Sequence, residues 1–349
     1  MEKYNEILLF KIGMLICALF LGVLICSTTD IKADMGSFFK KDKKNENNTV
    51  SDIQLENTII SGEYSAITEN RLIITLPKGV KEEHTTITKN LIEKQIVITF
   101  PKGAGDYDVF ASVVNNTQVI SNINRNIGNN MITLELTMNS VLDCIPCFDN
   151  GQLFMDFFRP AELEGSVIVI DAGHGGDDVG AIENGVYEKD IDLAVCLQLE
   201  QLLEQEDITV YYTRLEDSFP SVEERADFVN EIQPDLFISI HANWYKNSRI
   251  SGSSVLYNSK DNNEFGSAWF CNIMCEELVK ECNTVNKGIV DGNDIHIVRS
   301  SQVPVALLEI GFMSNESDFK LLTTQEGQEK IARGIYNGII RSLTELEKY

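Results

Sequence analysis

Three rhythms of apolar and polar positions succeed one another along the chain. The first is a near-continuous apolar run over 7–10 and 12–26, broken only by Lys11. It is long enough to cross a bilayer with Lys11 at one interface. The second occupies residues 59–160, where β-branched and polar residues alternate in short runs such as Leu72-Ile73-Ile74-Thr75-Leu76 and Ile132-Thr133-Leu134-Glu135-Leu136. With Gly, Pro and Asn between the runs, this predicts a small all-β, sandwich-like domain. Within it, Leu72 to Gly79 is echoed by Ile96 to Gly103, each a strand closed by Pro-Lys-Gly, which predicts two equivalent hairpin strands. The third rhythm begins at Val167 and alternates strands with helices. Strands are predicted over 167–171, 209–212, 236–241, 254–257 and 305–310, and helices over 190–206, 222–232, 263–282 and 325–346. That alternation predicts an α/β domain with a mostly parallel twisted sheet flanked by helices.

The organisation that follows is a membrane anchor or signal segment over 1–34, a polar linker over 35–58, a β-rich domain over 59–160 and an α/β domain over 164–349. Ile31 spoils the small-residue pattern for cleavage after Ala33, and Ile25 before Cys26 argues against a lipoprotein, so an uncleaved anchor is favoured. Lys32, Lys40, Lys41, Lys43 and Lys44 outnumber Lys3 and Lys11, which by a literal count keeps the following domains inside. Long C-terminal domains translocate largely regardless of charge, so export of the following domains is still expected.

Composition changes this picture little. At 43% hydrophobic and 23% charged residues, the chain has the means to build packed cores. A formal charge of −24 argues against nucleic acid as a partner, because phosphate binding rests on Lys and Arg. The eight cysteines show no disulfide framework. Cys144 and Cys147 form one CxxC without a second pair, read as a local disulfide or two free thiols rather than a zinc site. Cys271, Cys275 and Cys282 are read as small buried hydrophobes of a helix, and His84, beside Glu82 and Glu83, as a surface histidine.

In open α/β sheets the site lies beyond the carboxyl ends of the strands, so the residues that end the buried strands are the candidates. The strand over 167–171 runs into Asp171-Ala172-Gly173-His174-Gly175-Gly176, the strand over 236–240 into His241, and the strand over 305–308 into Glu309. Glu188 joins from the start of the helix after the glycine-rich loop. Two imidazoles and a carboxylate suit Zn2+ and leave a position for water, with Glu309 placed as general base. Asp177 and Asp178 disqualify the glycine-rich loop as a phosphate cradle, and there is no HExxH.

At this point the chain resembles a known family. Asp171-Ala-Gly-His-Gly-Gly176, Gly180-Ala181, Glu188-Lys-Asp-Ile-Asp-Leu193, Thr213-Arg214 with Asp217, Arg225-Ala226, the segment Asp235 to Asn243 and the segment Val303 to Asn315 are similar to the ordered motifs of the zinc N-acetylmuramoyl-L-alanine amidases. The resemblance covers about residues 166–345. It implies that His174, Glu188 and His241 hold zinc, that Glu309 is the catalytic carboxylate, and that the substrate is the peptidoglycan amide between the lactyl group of N-acetylmuramic acid and L-alanine. Asn243 and Arg299 are candidates for substrate contact, and His296 is read as a strand histidine. The chain departs from the family at Asp192, where Asn is common, and at Trp244. The β-rich domain resembles the wall-targeting AMIN modules. A non-catalytic wall-binding regulator on the same scaffold and a zinc peptidase acting within the stem peptide remain the alternatives. With only 242–253 between His241 and the next strand, there is no room for the helical plug that covers the metal in some members, so an open site is expected.

Overall fold

The computed structural model describes residues 70–103, 113–115 and 119–348. The expected membrane segment over 1–34, the linker over 35–58 and the first residues of the β-rich region lie outside these. Among the described residues no helix is long and apolar enough to cross a membrane.

The described residues between 70 and 158 form two antiparallel four-stranded sheets from β1 (Arg71–Thr75), β2 (Thr86–Asn90), β3 (Gln95–Pro101), β4 (Val113–Asn115), β5 (Ile120–Ile127), β6 (Met131–Met138), β7 (Asp143–Asp149) and β8 (Gln152–Phe158). Their orders are β4-β1-β8-β7 and β2-β3-β6-β5. The period-two pattern sends every second side chain inward: Ile96, Ile98 and Phe100 of β3 face Leu136, Leu134 and Ile132 of β6 and are buried. The echoed segments are not a hairpin with each other. β1 and β3 hold the same second place, one in each sheet. The turns that close them meet, because a Cβ added at Gly103 would lie 2.7 Å from the Pro77 Cβ. Cys144 is buried and Cys147 exposed on β7, and both are free thiols. Their spacing of three along a strand sends them to opposite faces. His84 lies in an exposed 3-10 turn, as its acidic neighbours predict.

The α/β part is one six-stranded sheet, from β9 (Ser166–Ala172), β12 (Ile208–Tyr212), β13 (Leu236–Asn243), β14 (Ser253–Tyr257), β15 (Asn286–Asp291) and β16 (Val305–Phe312), in the order β12-β9-β13-β16-β14-β15. The first four strands are mutually parallel; β14 runs antiparallel to β16, and β15 parallel to β14, so the sheet is mixed. A two-stranded hairpin of β10 (Ile182–Glu183) and β11 (Val186–Tyr187) leads into α1 (Glu188–Leu203). The other helices are α2 (Val222–Ile232), α3 (Ser267–Cys282), α4 (His296–Ser300), α5 (Glu316–Thr323) and α6 (Gln325–Leu346).

The central strands read as largely apolar runs, with Ser239 and Asp171 the buried polar exceptions, because both sheet faces are covered. Ile168, Ile170, Ile238 and Ile240 pack under α1, α3 and α6 through Val195, Leu199, Phe270 and Ile335. Val169, Phe237, Val305 and Leu307 face the other way, against Phe228 and Val229 of α2 and Ile297 and Val298 of α4. That second core also takes in Val141 with Leu91 and Ile92 of the β-rich part. Glu231 of α2 ties the same face, accepting from Lys94 Nζ at 2.6 Å and from the Val141 amide at 2.7 Å. Cys271 and Cys275 are buried hydrophobes of α3, as expected, and Cys282 is half-buried at its end.

The sequence did not point to β15, α4 or α5. β15 is a half-exposed edge strand with little apolar signal, and α4 and α5 are five and eight residues long. His296, expected in a strand, instead opens α4 and is exposed. Only Ile297 and Val298 of that helix turn inward, which is too short an apolar pattern to separate helix from strand.

Candidate metal centre

The site is built at the carboxyl ends of β9, β13 and β16, with α1 entering from the side. After β9 the chain turns through Gly173, whose missing side chain matters. A Cβ there would lie 2.6 Å from His241 Nδ1. His174 follows with φ of 56°, a left-handed conformation uncommon for a non-glycine residue. What holds it is a pair of buried arginines. Arg225 donates to the carbonyls of Ala172 at 2.6 Å and His174 at 2.5 Å, and Arg214 donates to those of Ala172 at 2.9 Å and Gly173 at 2.6 Å.

Beneath this loop Asp171, 1% exposed, accepts from Arg225 Nη1 at 2.5 Å and from the Thr213 and Ser239 hydroxyls at 2.6 Å each. Burial pushes its carboxyl up, yet the Arg225 guanidinium and the two hydroxyls hold it below the usual carboxylate range.

The structure brings His174, Glu188 and His241 together. Glu188 Oε1 lies 3.2 Å from His174 Nε2 and 3.1 Å from His241 Nδ1, and the two rings stand edge to face with centroids 5.0 Å apart. The amides of Ala181 and Ala242 fix the carboxylate from two sides, at 2.8 and 3.2 Å. Burial raises the Glu188 carboxyl, but the two imidazoles reverse this and hold it far below its ordinary value. His174 Nδ1 meets Asp178 Oδ2 at 2.9 Å. Burial lowers the His174 imidazole, while Glu188 and Asp178 together raise it to about 9.

Glu309 stands beside His241 because the parallel register of β13 and β16 pairs those two residues. Its Oε2 is buried with no hydrogen-bond partner among the described residues. Burial, opposed by the imidazoles and reinforced by Glu188, pushes its carboxyl up to about 7.

A cleft of about 460 Å3 opens over these groups. Asn243 lines it, as do the exposed apolar side chains of Phe219, Val222, Trp244 and Ile295. The Trp244 indole N–H donates to Glu183 Oε2 on the β10–β11 hairpin at 2.9 Å, which fixes the ring at the rim. Arg299 is not among the lining residues. Its guanidinium donates to the Asn293 carbonyl at 2.9 Å, and the turn of α4 leaves it exposed while Ile295 and Ile297 face the cleft.

Two neighbours of this group were not assigned roles from the sequence. Asp178, read only as unfavourable to phosphate, is the partner of His174. Asp192, noted as a departure, lies with His174, Glu188 and His241 in one group whose ligand atoms are all within 4.8 Å of one another. Its spacing of four from Glu188 on a helix was the available signal.

The donor set fits zinc. Tetrahedral ligands at zinc's usual bond lengths lie about 3.3 Å apart, close to the separations around Glu188 Oε1. The Asp178 contact to His174 Nδ1 is the kind of carboxylate–histidine pair that would fix the tautomer of a ligating imidazole. Two imidazoles and a carboxylate at strand ends, beside a second buried carboxylate, form a group that could hold a metal ion.

Comparison with known proteins narrows the class. The sequence pattern of the N-acetylmuramoyl-L-alanine amidases matches residues 168–341. The germination-specific N-acetylmuramoyl-L-alanine amidase of Bacillus subtilis is 30% identical over 212 residues, spanning 57% of this chain and 87% of that protein. The uncharacterized protein YqiI of the same organism is 38% identical over 177 residues, 51% of this chain and 84% of that protein. Among solved structures, an N-acetylmuramoyl-L-alanine amidase from Clostridium difficile 630 superposes with a TM-score of 0.50 at 30% identity, covering 52% of this chain and 98% of that one. The chain belongs to the N-acetylmuramoyl-L-alanine amidase family, and its activity is that of a peptidoglycan amidase.

Proposed function

We propose that the chain is a zinc-dependent enzyme that hydrolyses the amide between the lactyl group of N-acetylmuramic acid and the L-alanine of the stem peptide. The observation that carries this reading is the convergence of His174, Glu188 and His241 on one point, with Glu309 beside them in register. When bound there, zinc supplies a Lewis acid that polarises the amide carbonyl and makes water acidic enough to be deprotonated near neutral pH.

The rest falls to the chain's own groups. Asp178 accepts the Nδ1 proton of His174, which leaves Nε2 as the ligating nitrogen. Glu309 takes the proton of the attacking water and returns it to the alanine nitrogen as the amide breaks. Burial raises its affinity for that proton, which suits the same group to both transfers. Asn243 and the apolar rim from Phe219 to Trp244 line the space in which the muramoyl peptide lies.

Such a substrate puts these domains outside the membrane, with the segment over 1–34 as the tether. The residues over 70–158 serve as the wall-facing module that precedes the catalytic part over 164–349.

Elemental analysis of the purified protein together with product analysis of digested wall tests the reading. One zinc per chain with free lactyl groups on muramic acid and new L-alanine amino termini is the expected result. Cleavage at internal stem-peptide bonds, or zinc retained when His174 and His241 are both alanine, overturns it.

A further inference from the structure

Asp192 lies one helical turn after Glu188 on α1 and is fully buried. Neither of its carboxylate oxygens has a hydrogen-bond partner among the described residues. Buried carboxyls are rarely left so, because each oxygen loses its water with nothing in return. Protonation alone does not resolve this, since a neutral carboxyl still carries an O–H and a C=O that need partners. The buried guanidinium of Arg214 is spoken for by the carbonyls of Ala172, Gly173 and Lys189. What does lie near are the ligand atoms of His174, Glu188 and His241, all within 4.8 Å of an Asp192 oxygen. Asp192 is not among the residues that line the cleft, and no part of it is exposed to solvent.

We propose that Asp192 is a fourth protein donor to the metal, making the centre a pair of imidazoles and a pair of carboxylates. The inference rests on the reading that the other three residues hold zinc, and it adds a ligand to them. A second carboxylate brings the ligand charge to −2, matching a divalent ion, which strengthens binding in a low-dielectric site. Asp192 is absent from the cleft lining, so its carboxylate would not take up the space in which water and substrate reach the other three donors. A hard oxygen donor also widens the range of divalent ions the site tolerates.

Zinc affinity of the full chain, measured by competition with a chromophoric chelator, tests this in wild type, Asp192→Asn and Asp192→Ala. The expected result is one tight site in wild type and a loss in both variants beyond the roughly 10–100-fold that follows loss of an outer-shell partner alone. The apo variants melt at or above the wild-type temperature, because an unpaired buried carboxylate has been removed. The visible absorption of the Co2+-loaded protein shifts between wild type and Asp192→Asn, which a merely structural residue would not cause. Wild-type affinity with an unchanged Co2+ spectrum in both variants overturns the proposal, as does an apo melting temperature that falls while affinity is retained. A wild-type chain that takes up no zinc fails the underlying metal reading, a result separable from failure of Asp192 alone.

Discussion

Replacing Arg225 by methionine probes how the site is held without touching any group assigned to bind metal or substrate. Arg225 is 4% exposed and donates to four acceptors: the Pro220, Ala172 and His174 carbonyls and the Asp171 carboxylate. Methionine fills most of the volume but donates nothing. Asp171, 1% exposed, keeps the Thr213 and Ser239 hydroxyls but loses its ion-pair partner, with only the more distant charges of Arg214 and His241 left to oppose its own. Breaking a buried pair from one side costs roughly 3–5 kcal/mol. For a domain of this size that corresponds to a fall of about 6–20 °C in melting temperature. Most of the cost is the stranded carboxylate rather than lost attraction, so adding Asp171→Asn, which removes the charge, returns part of it. The acid side shifts as well. In wild type the depressed Asp171 contributes stability that is present above its unfolded value near 3.9 and lost as pH falls through its lower folded value. Without Arg225 the depression is lost, and acid unfolding begins at higher pH. Urea unfolding followed by circular dichroism, at pH 7 and down an acid series, measures all three effects. A single variant within about 1 kcal/mol of wild type, or a double variant no more stable than the single, refutes the reasoning.

The remaining predictions concern the site itself. Glu309→Gln keeps zinc and fold but lowers kcat by about a hundredfold to ten-thousandfold, since the amide cannot accept a proton; near-normal turnover on labelled peptidoglycan removes Glu309 from its role. Gly173→Ala forces the His241 ring to move and loses zinc while the circular dichroism spectrum stays native; retained stoichiometric zinc contradicts the close packing. In the metal-free protein, the raised His174 imidazole contributes stability that is complete below its unfolded value near 6.5 and is lost as pH rises through about 9. Denaturant midpoints at pH 6 and 9.5 should show that loss, and His174→Asn should flatten it. No helix lies between β13 and β14, so dye release from peptidoglycan should need no added activator; a zinc-loaded but inert protein that wakes with a partner refutes the open cleft.

The candidate residues stand out in the sequence because each lies at or just beyond a largely apolar run, although β13 and β16 continue past His241 and Glu309 to Asn243 and Phe312. His174, His241 and Glu309 are legible for that reason, and so are the central strands and the four longer helices, whose periods repeat often enough to be read. The alternation in β3 and β6 likewise specified a sheet buried on one face. Tertiary structure decided the rest, through contacts between distant segments that leave no periodic trace. Sequence alone does not say that β16 lies beside β13, and it is that pairing which sets Glu309 against His241. Nor does it show that β14 and β15 reverse direction, that α4 turns Arg299 away from the cleft, or that Glu231 joins the β-rich part to α2. The departure at Asp192 shows the division most plainly. Its identity was visible in the chain, but only the fold reveals that both its oxygens are buried without partners beside three metal-type donors. The physical reason is that local pattern encodes which residues leave water, whereas the cost or use of a buried charge depends on which groups meet it there.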